Sequence, residues 1–537
     1  MKHLRVEKQI GMGIAKRIGP FLIFPMELTR RSHMQKALKD IKLFRLQGIA
    51  AGVLAACAGG ALHAQESSSA TSDVKLDTIV VSGAKNDSPE AAKEKLRKIP
   101  GTASVVDNSA VEKGRAANLE DVLAYQPGVL AVATGGSSAN LISIRGSGIN
   151  TFYAGYARGI RYLIDGSPIS GPGGTQETLL TPNGVNYTEI LNGTNAFTYG
   201  ALAIGGAINS VTHTGRTAPG FSVGFEGGSY GYVKARASYG GVSEDGATDY
   251  YLSVLHSQRD GYQAEAPVKG IDDVVLNVGH TFNSRLKAHF LFRYGQENYR
   301  NGGALTLAQI RDNPRQAATG SYGRWSYSAL AVGRLEYTFD DDSRLEVALG
   351  LNRFNLDNSR DTSTYSEWPS LYISPQIRYF RTNDTLFGLK SDTTFIFDFT
   401  QLNGGTNGGN RVPTGSTNKV WYYGADYSGS RDATIGVNNA LHLNERTTLT
   451  AGLSAVEVKR SLTASGIIPK TSGLPGQVDY DKWFAVPRLG LNWQATPDVQ
   501  LFTGLGRSID PPVTWGFPLT SVRAAPGPHF AYVSHPG

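Results

Sequence analysis

The chain has 537 residues, one cysteine and a formal net charge of +7, from 52 Lys and Arg against 45 Asp and Glu. Residues 1–64 carry eleven basic and three acidic side chains, so the rest of the chain sums to 7 − 8 = −1, and the basic balance gives no support to a nucleic-acid binder. A single cysteine excludes a disulfide within one chain, so stability must come from packing and strand pairing.

The first segment reads as a leader. Lys36, Lys39, Lys42 and Arg45 precede an apolar, small-residue run from Ile49 to Leu62, and a cut after Ala64 fits a small-residue site, with Leu62 an imperfect third position back. The run is too short and too rich in Gly and Ala for a transmembrane helix. Residues 1–33 precede this unit and hold Phe21-Leu22-Ile23-Phe24, so translation is expected to start at Met34. Arg30-Arg31 fits a twin-arginine signal poorly. Cys57 follows Leu54-Ala55-Ala56, a lipoprotein-like pattern that competes with the ordinary cut.

Residues 65–99 are assigned as a flexible segment, polar and Ser/Thr-rich at its start. Within it, Leu76-Asp77-Thr78-Ile79-Val80-Val81-Ser82 is short and β-branched between polar flanks. Such a peptide can open the next domain as a strand, or can add to another protein's sheet through its main chain.

Residues 100–215 mix short helices and strands, an α+β texture. Asn118 is placed to cap a helix over Leu119–Tyr125, ended by Pro127-Gly128. Leu141–Arg145 and Tyr162–Ile164 read as strands closed by glycine turns, with an irregular loop from Ser147 to Arg161 between them. The run from Tyr199 to Asn209 alternates small and apolar residues, which suits backbone threaded through a crowded space.

After Pro219 the texture changes to long alternating strands. Leu286, Ala288, Phe290, Phe292 and Tyr294 share one face, and Lys287, His289 and Arg293 the other. Leu335, Tyr337 and Phe339 repeat the pattern, Asp340–Ser343 turn, and Leu345, Val347, Leu349 and Leu351 resume it. Period-two amphipathicity fits any half-buried antiparallel sheet, a soluble β-sandwich included. Short turns at one end, the long polar stretches Gly295–Arg324 and Gln401–Lys419 at the other, aromatic strand ends and a preceding signal favour a membrane barrel.

No catalytic site is read. Gly227-Gly228-Ser229-Tyr230-Gly231 matches a nucleophile elbow in letters, but an alternating strand follows it instead of a helix. The ten histidines form no metal-binding pair, and no Walker sequence occurs.

In their order and spacing, Leu119-Glu120-Asp121-Val122-Leu123, Pro127-Gly128-Val129, Ile142-Ser143-Ile144-Arg145-Gly146, Leu163-Ile164-Asp165-Gly166-Ser167-Pro168 and the run at Tyr199 closely resemble the plug domain of TonB-dependent outer-membrane receptors. The resemblance covers residues 76–215 strongly and the β-rich remainder more loosely. It implies a plug domain over 100–215 and an antiparallel transmembrane β-barrel after it, multi-pass in the outer membrane of a Gram-negative bacterium. It implies TonB-driven uptake of a ferric siderophore or similar metal chelate, with cobalamin and oligosaccharides as rival ligands. A passive porin and a secreted β-sandwich enzyme are the readings from other classes. The implied partners are TonB of the inner-membrane complex, outer-membrane lipid and the ligand; no nucleic acid, cofactor or catalytic residue is implied, since the chelator fills the metal's coordination shell.

The resemblance also assigns residues. Asp77, Thr78, Ile79, Val80 and Val81 match the TonB box, and Arg145, Gly146, Asp165, Gly166, Glu189, Gly205 and Gly206 match the plug core. Phe152, Tyr153, Tyr156, Arg158 and Arg161 fall where plug loops of the family touch ligand: arginine suits anionic oxygens and aromatic rings suit flat chelates. The alternative is that these arginines, and Arg145, pair with lumen-facing acids of the wall. One departure stands out: Glu189-Ile190-Leu191-Asn192-Gly193-Thr194 lacks the family's Arg and Pro, which puts a plug–wall ion pair in doubt.

The length sets one more expectation. Receptors of this type resemble the 22-stranded class with a plugged lumen, which takes roughly 450–500 residues. Only 537 − 219 = 318 follow Pro219, enough for about fourteen strands at roughly 20–23 residues each. The chain is therefore expected to be C-terminally truncated, with a partial barrel over 216–518 and an aberrant tail over 519–537, and a non-functional truncated fragment is the alternative to the uptake reading.

Overall fold

The computed structural model describes residues 88–109, 118–133, 140–147, 159–175, 177–200, 202–317, 322–359, 364–411, 419–466, 477–496 and 499–514. The leader with Met34 and Cys57, the segment Asp77–Val81, the residues Phe152, Tyr153, Tyr156 and Arg158, and the tail 519–537 lie outside them.

The first domain opens with helix α1 (Pro89–Arg97), inside the stretch assigned above as flexible. Ser88 caps it by accepting from Ala91 N, Pro89 sits in its first turn with Glu90, and Lys95 and Arg97 lie in its last. Each of these matches the orphan donors or the dipole at its end. The helix buries Ala92 and Leu96, so folded chain begins before residue 100. Strand β1 (Ala103–Asp107) and helix α2 (Leu119–Leu123) follow. Asn118 and Asp121 form a reciprocal capping box on α2. This helix stops two residues before the expected Tyr125, whose φ of +65° is incompatible with helix.

Among the described residues, strands β2 (Val129–Ala133) and β3 (Asn140–Ile144) pair only with each other. Then come β4 (Ile160–Ile164), β5 (Ser167–Pro168), β6 (Ser170–Gly171), β7 (Gly174–Thr175), β8 (Val185–Asn192) and β9 (Gly206–Thr212). The main sheet of this domain has the order β1-β8-β9-β4-β5, with β4 and β9 parallel.

The second domain is one antiparallel sheet. Its segments are β10 (Gly220–Gly228), β11 (Tyr232–Val242), β12 (Thr248–Arg259), β13 (Val268–Thr281), β14 (Leu286–Asn301), β15 (Tyr322–Thr338), β16 (Arg344–Ser359), β17 (Thr364–Glu367), β18 (Ser370–Leu386), β19 (Leu389–Arg411), β20 (Lys419–Asp426), β21 (Ser430–Asn444), β22 (Thr447–Gly466), β23 (Gln477–Gln494) and β24 (Gln500–Gly506). Both β17 and β18 pair β16 with β19, and both β20 and β21 pair β19 with β22, so fifteen segments fill 15 − 2 = 13 positions. Among the described residues, β10 and β24 each pair on one side only.

Two sequence expectations need correction. The stretch Gly295–Arg324 is strand at both ends, since β14 runs to Asn301 and β15 starts at Tyr322, with helix α3 (Leu307–Asp312) between. Gln401–Arg411 is strand too: its Asn- and Gly-rich sequence lacks β propensity, yet its backbone pairs with β17 and β20. The Gly227–Gly231 motif, read from sequence as followed by a strand and not a helix, is a hairpin between β10 and β11 with positive φ at Tyr230 and Gly231.

The sheet's polarity is inside-out. Leu335, Val347, Ile377, Phe397 and Ile435 stand in one row across β15, β16, β18, β19 and β21, on the outward face. On the inward face the buried side chains include Arg293, Glu297, Ser328, Gln376, Asp398 and Arg460. A soluble sandwich buries its apolar face; this sheet presents that face outward, as a lipid-facing wall does. The band has aromatic rims. Tyr294 stacks near Tyr327 at 6.3 Å at one level, and Tyr379 near Phe395 at 6.2 Å at the other. On β15, Tyr327 and Tyr337 lie 337 − 327 = 10 residues apart on the same face. At a rise of about 3.3 Å per residue and a tilt of about 45°, that separation gives a band about 23 Å tall, close to the expected apolar height.

The substitution Leu349→Arg puts a charge in the middle of this band. Unfolding in phospholipid vesicles should show a loss of about 2–4 kcal/mol. A loss below about 0.5 kcal/mol, the usual effect at a water-exposed surface, would contradict a lipid-facing wall.

Candidate functional site

The plug core is organised around the Asp165–Gly166 turn. Both residues have positive φ, +47° and +73°, which suits the tight connection of β4 to β5 and the residue pair Asp-Gly. Asp165 accepts from Thr212 N at 2.8 Å and Thr212 Oγ1 at 2.7 Å, tying the turn to the end of β9. Gly166 N donates to Asn209 Oδ1 at 2.8 Å. Asn209 Nδ2 in turn donates to Glu189 Oε2 at 2.9 Å, which also accepts from Tyr199 OH at 2.7 Å. Burial, and then the Glu189 carboxylate, push the Tyr199 phenol well above its ordinary range.

The small-residue run serves this packing. Gly205 O accepts from Gly193 N and Gly205 N donates to Gly159 O, both at 2.7 Å. Gly206, at φ +126°, lies so close to Leu191 O that a Cβ would have no room. Arg145 (φ +53°) and Gly146 form a turn after β3, and Arg145 Nη2 donates to Thr102 Oγ1 at 2.6 Å. Its recorded partner is thus within the plug, not a wall acid.

Arg161 is the one proposed ligand residue among those described. It belongs to β4, which starts two residues earlier than expected, and pairs in parallel register with Ala207. The residue is 5 % exposed, and its side chain lies 3.9 Å from Asp398 on wall strand β19. Burial lowers its pKa, against the opposing pull of Asp398 and Asp432. The structure therefore places Arg161 in the plug–wall contact that the sequence left as the alternative. A plug–wall ion pair exists without the family's missing Arg.

The wall residues that grip the plug come from two sides. On one, Asp273 of β13 accepts from Thr181 Oγ1 and Asn183 Nδ2, both at 2.8 Å. Arg293 of β14 bonds Asp273 at 3.2 Å and donates to Thr181 O at 2.6 Å; Asp273 and Arg293 are both 0 % exposed. Ser253 donates to Asn183 Oδ1 at 2.7 Å, Asn277 to Thr212 Oγ1 at 2.8 Å, and Thr178 to Ser328 Oγ at 2.6 Å. On the other side, Gln376 Nε2 donates to Gly166 O at 3.1 Å and Arg378 Nη2 to the same oxygen at 3.5 Å. Arg334 of β15, the strand that also carries Ser328, donates to Asp165 O. Sequence reading had seen Arg293 only as a member of a polar face. The usable signal was a charge on the inward phase of a strand whose outward phase is apolar.

Among the described residues, no group of three or more His, Cys, Asp or Glu could hold a metal ion.

Comparison with known proteins agrees with this architecture. Residues 95–207 match the family model "TonB-dependent Receptor Plug Domain", and residues 276–533 match "TonB dependent receptor-like, beta-barrel". The second match runs into the stretch set apart above from residue 519. Over 213 residues the chain is 25% identical to the vitamin B12 transporter BtuB of Vibrio vulnificus (strain CMCP6), covering 39% of this chain and 32% of that protein. The unliganded ferric citrate transporter FecA superposes with a TM-score of 0.63 at 18% identity, over 77% of this chain and 63% of its own. The ferric-catecholate import receptor Fiu from E. coli K12 gives 0.61 at 15%, over 76% and 70%. The chain thus spans less than two thirds of the length of BtuB and FecA, and at these identities the solved structures speak to fold.

Removing one partner of the buried Asp273–Arg293 pair leaves the other uncompensated. Asp273→Ala should destabilise the docked plug by about 3–5 kcal/mol, read as protease susceptibility of the plug against urea concentration. An unchanged profile would show that this contact does not hold the plug.

Proposed function

The chain belongs to the TonB-dependent receptor family of the Gram-negative outer membrane, a family of transporters and not enzymes, and from that membership we propose that it takes up a ferric siderophore or similar metal chelate across that membrane. The observation that carries the reading is a plug seated against the polar inward face of a lipid-facing wall through buried hydrogen bonds. A passive porin has no use for such a plug. In this reading the plug blocks the lumen, ligand binds from outside, and TonB supplies the energy; the protein itself makes and breaks no covalent bond.

The metal chelate is supported by the ferric-chelate transporters among the structures of similar fold. Cobalamin is the second reading, supported by the sequence match to a B12 transporter. Phe152, Tyr153, Tyr156 and Arg158 remain the proposed ligand contacts, on the chemistry of stacking rings and an anion-binding guanidinium. Arg161 is assigned to holding the plug instead. Titration of the purified protein with ferric citrate, a ferric hydroxamate, a ferric catecholate and cobalamin separates the readings. Saturable binding of a ferric chelate alone supports the first, and binding of cobalamin alone replaces it.

Asp77–Val81 is proposed as the TonB box, docking by strand addition. Ile79→Pro removes a ladder donor and fixes φ. It should abolish energised uptake while leaving ligand binding and membrane abundance as in the parent. Normal uptake in that variant would remove the assignment.

A further inference from the structure

The plug's two attachments to the wall differ in kind. Toward β12–β15 the polar contacts of Thr178, Thr181, Asn183 and Thr212 fall between 2.6 and 2.8 Å. The same strands give Val275, Leu291, Leu330 and Val332 to the plug's main apolar cluster, beside Leu179 and Ile144. Polar and apolar contacts thus coincide on that side.

Toward β18–β22 the contacts are long. Arg161 stands 3.9 Å from Asp398, and Arg378 reaches Gly166 O at 3.5 Å and Thr198 O at 3.3 Å. These exceed the usual range of a firm hydrogen bond; Gln376 to Gly166 O, at 3.1 Å, is the exception. No described side chain of these strands joins the plug's main apolar cluster.

On the second side, buried polar atoms without partners lie next to one another. Gln376, Asp398 and Thr434 are register neighbours on one inward row of β18, β19 and β21. Gln376 Oε1, Asp398 Oδ2, Thr434 Oγ1, Ser454 Oγ and, from the plug, Arg161 Nε have no hydrogen-bond partner among the described residues. The firm side holds such atoms too, Asp249 Oδ1, Arg293 Nη1 and Arg334 Nε among them, but there Thr178, Thr181, Asn183, Ser253 and Asn277 are all bonded across the plug–wall contact. Polar groups buried without partners gain from meeting water, whereas paired ones lose their bonds.

We propose that the plug is hinged on β12–β15 and parts first from β18–β22, along the row Gln376–Asp398–Thr434. The role of this seam as the transport path rests on the uptake reading, but the order of parting does not. When the plug loosens, water enters beside Arg161 and Asp398 while Thr181 and Asn183 stay bound to Asp273. The exposed lining is polar, matching a hydrophilic cargo.

The test uses the full chain folded in phospholipid vesicles, with Cys57→Ser as background and one cysteine introduced at a time. Ser454→Cys and Thr434→Cys report on the proposed seam, Ser328→Cys and Ser253→Cys on the hinge. Neither seam substitution removes a recorded hydrogen bond, whereas each hinge substitution does, so any bias from the mutations runs against the proposal. Maleimide labelling is followed at urea concentrations that leave the strand circular dichroism native. The expected result is labelling at 454 and 434 at least tenfold faster than at 328 and 253. Equal rates, or faster labelling at the hinge positions, would overturn the proposal. Should one variant fail to fold, the other of its pair decides. The probe involves neither ligand nor TonB, so a failed ligand titration would leave this outcome standing, and the reverse also holds.

Discussion

A wall in lipid must satisfy its backbone by strand pairing and present an apolar outer face; everything else here follows from that constraint. With Leu335, Val347, Ile377, Phe397 and Ile435 committed outward, period-two geometry sends Gln376, Asp398, Arg293 and Asp273 inward. Burying those groups without partners is costly. The plug supplies many of the partners, so its surface is written in Thr, Asn and main-chain carbonyls as well as apolar side chains. Where even these would not fit, the wall uses glycine: Gly295 leaves no space for a Cβ beside Thr178 O, and Gly350 lies against Ser167 Oγ.

One turn connects the plug's own fold to its seat in the wall. The carboxylate of Asp165 holds β9 through Thr212, while the carbonyl oxygens of Asp165 and Gly166 accept from Arg334, Gln376 and Arg378. Gly166 N meanwhile binds Asn209, whose amide reaches Glu189 and Tyr199. A displacement of the turn from the wall therefore bears directly on the sheet behind it. Movement of β9 reaches the wall by the same route.

Much of this was legible in the sequence, and the unread part has a common cause. The alternation at Leu286–Tyr294, the cap at Asn118 and the turn at Asp340–Ser343 are local patterns, and they appear as strand, capping box and hairpin. The helix at Pro89–Arg97 carried its own start signals, concealed by a charge-rich texture that also suits a flexible segment. Gln401–Arg411 pairs because its neighbours offer backbone, which no local propensity reports. Arg161 looked like a loop residue because Gly159 and Ile160 gave no early strand signal. Its partner Asp398 lies 398 − 161 = 237 positions away. Likewise Arg293 and Thr181 meet across 112 positions. Sequence reading finds the phase of a strand, and only the tertiary structure shows what that phase faces.

A polar seat also explains how a plug can be both secure and removable. An apolar interface of this size would gain about 25 cal/mol for each Å² buried and would oppose any partial opening. A buried polar interface gains little net, since desolvation offsets most of the attraction, yet it penalises any wrong partner strongly. The geometry is thereby specified without a large separation cost, provided that water or cargo can take over the exposed groups. The seam along Gln376, Asp398 and Thr434 meets that condition, because some of its polar atoms lack protein partners already. The Asp273–Arg293 side meets it less well, because the plug's Thr181 is firmly bonded there and the plug's apolar core continues into the wall beside it. Security and release therefore reside in different strands of one wall.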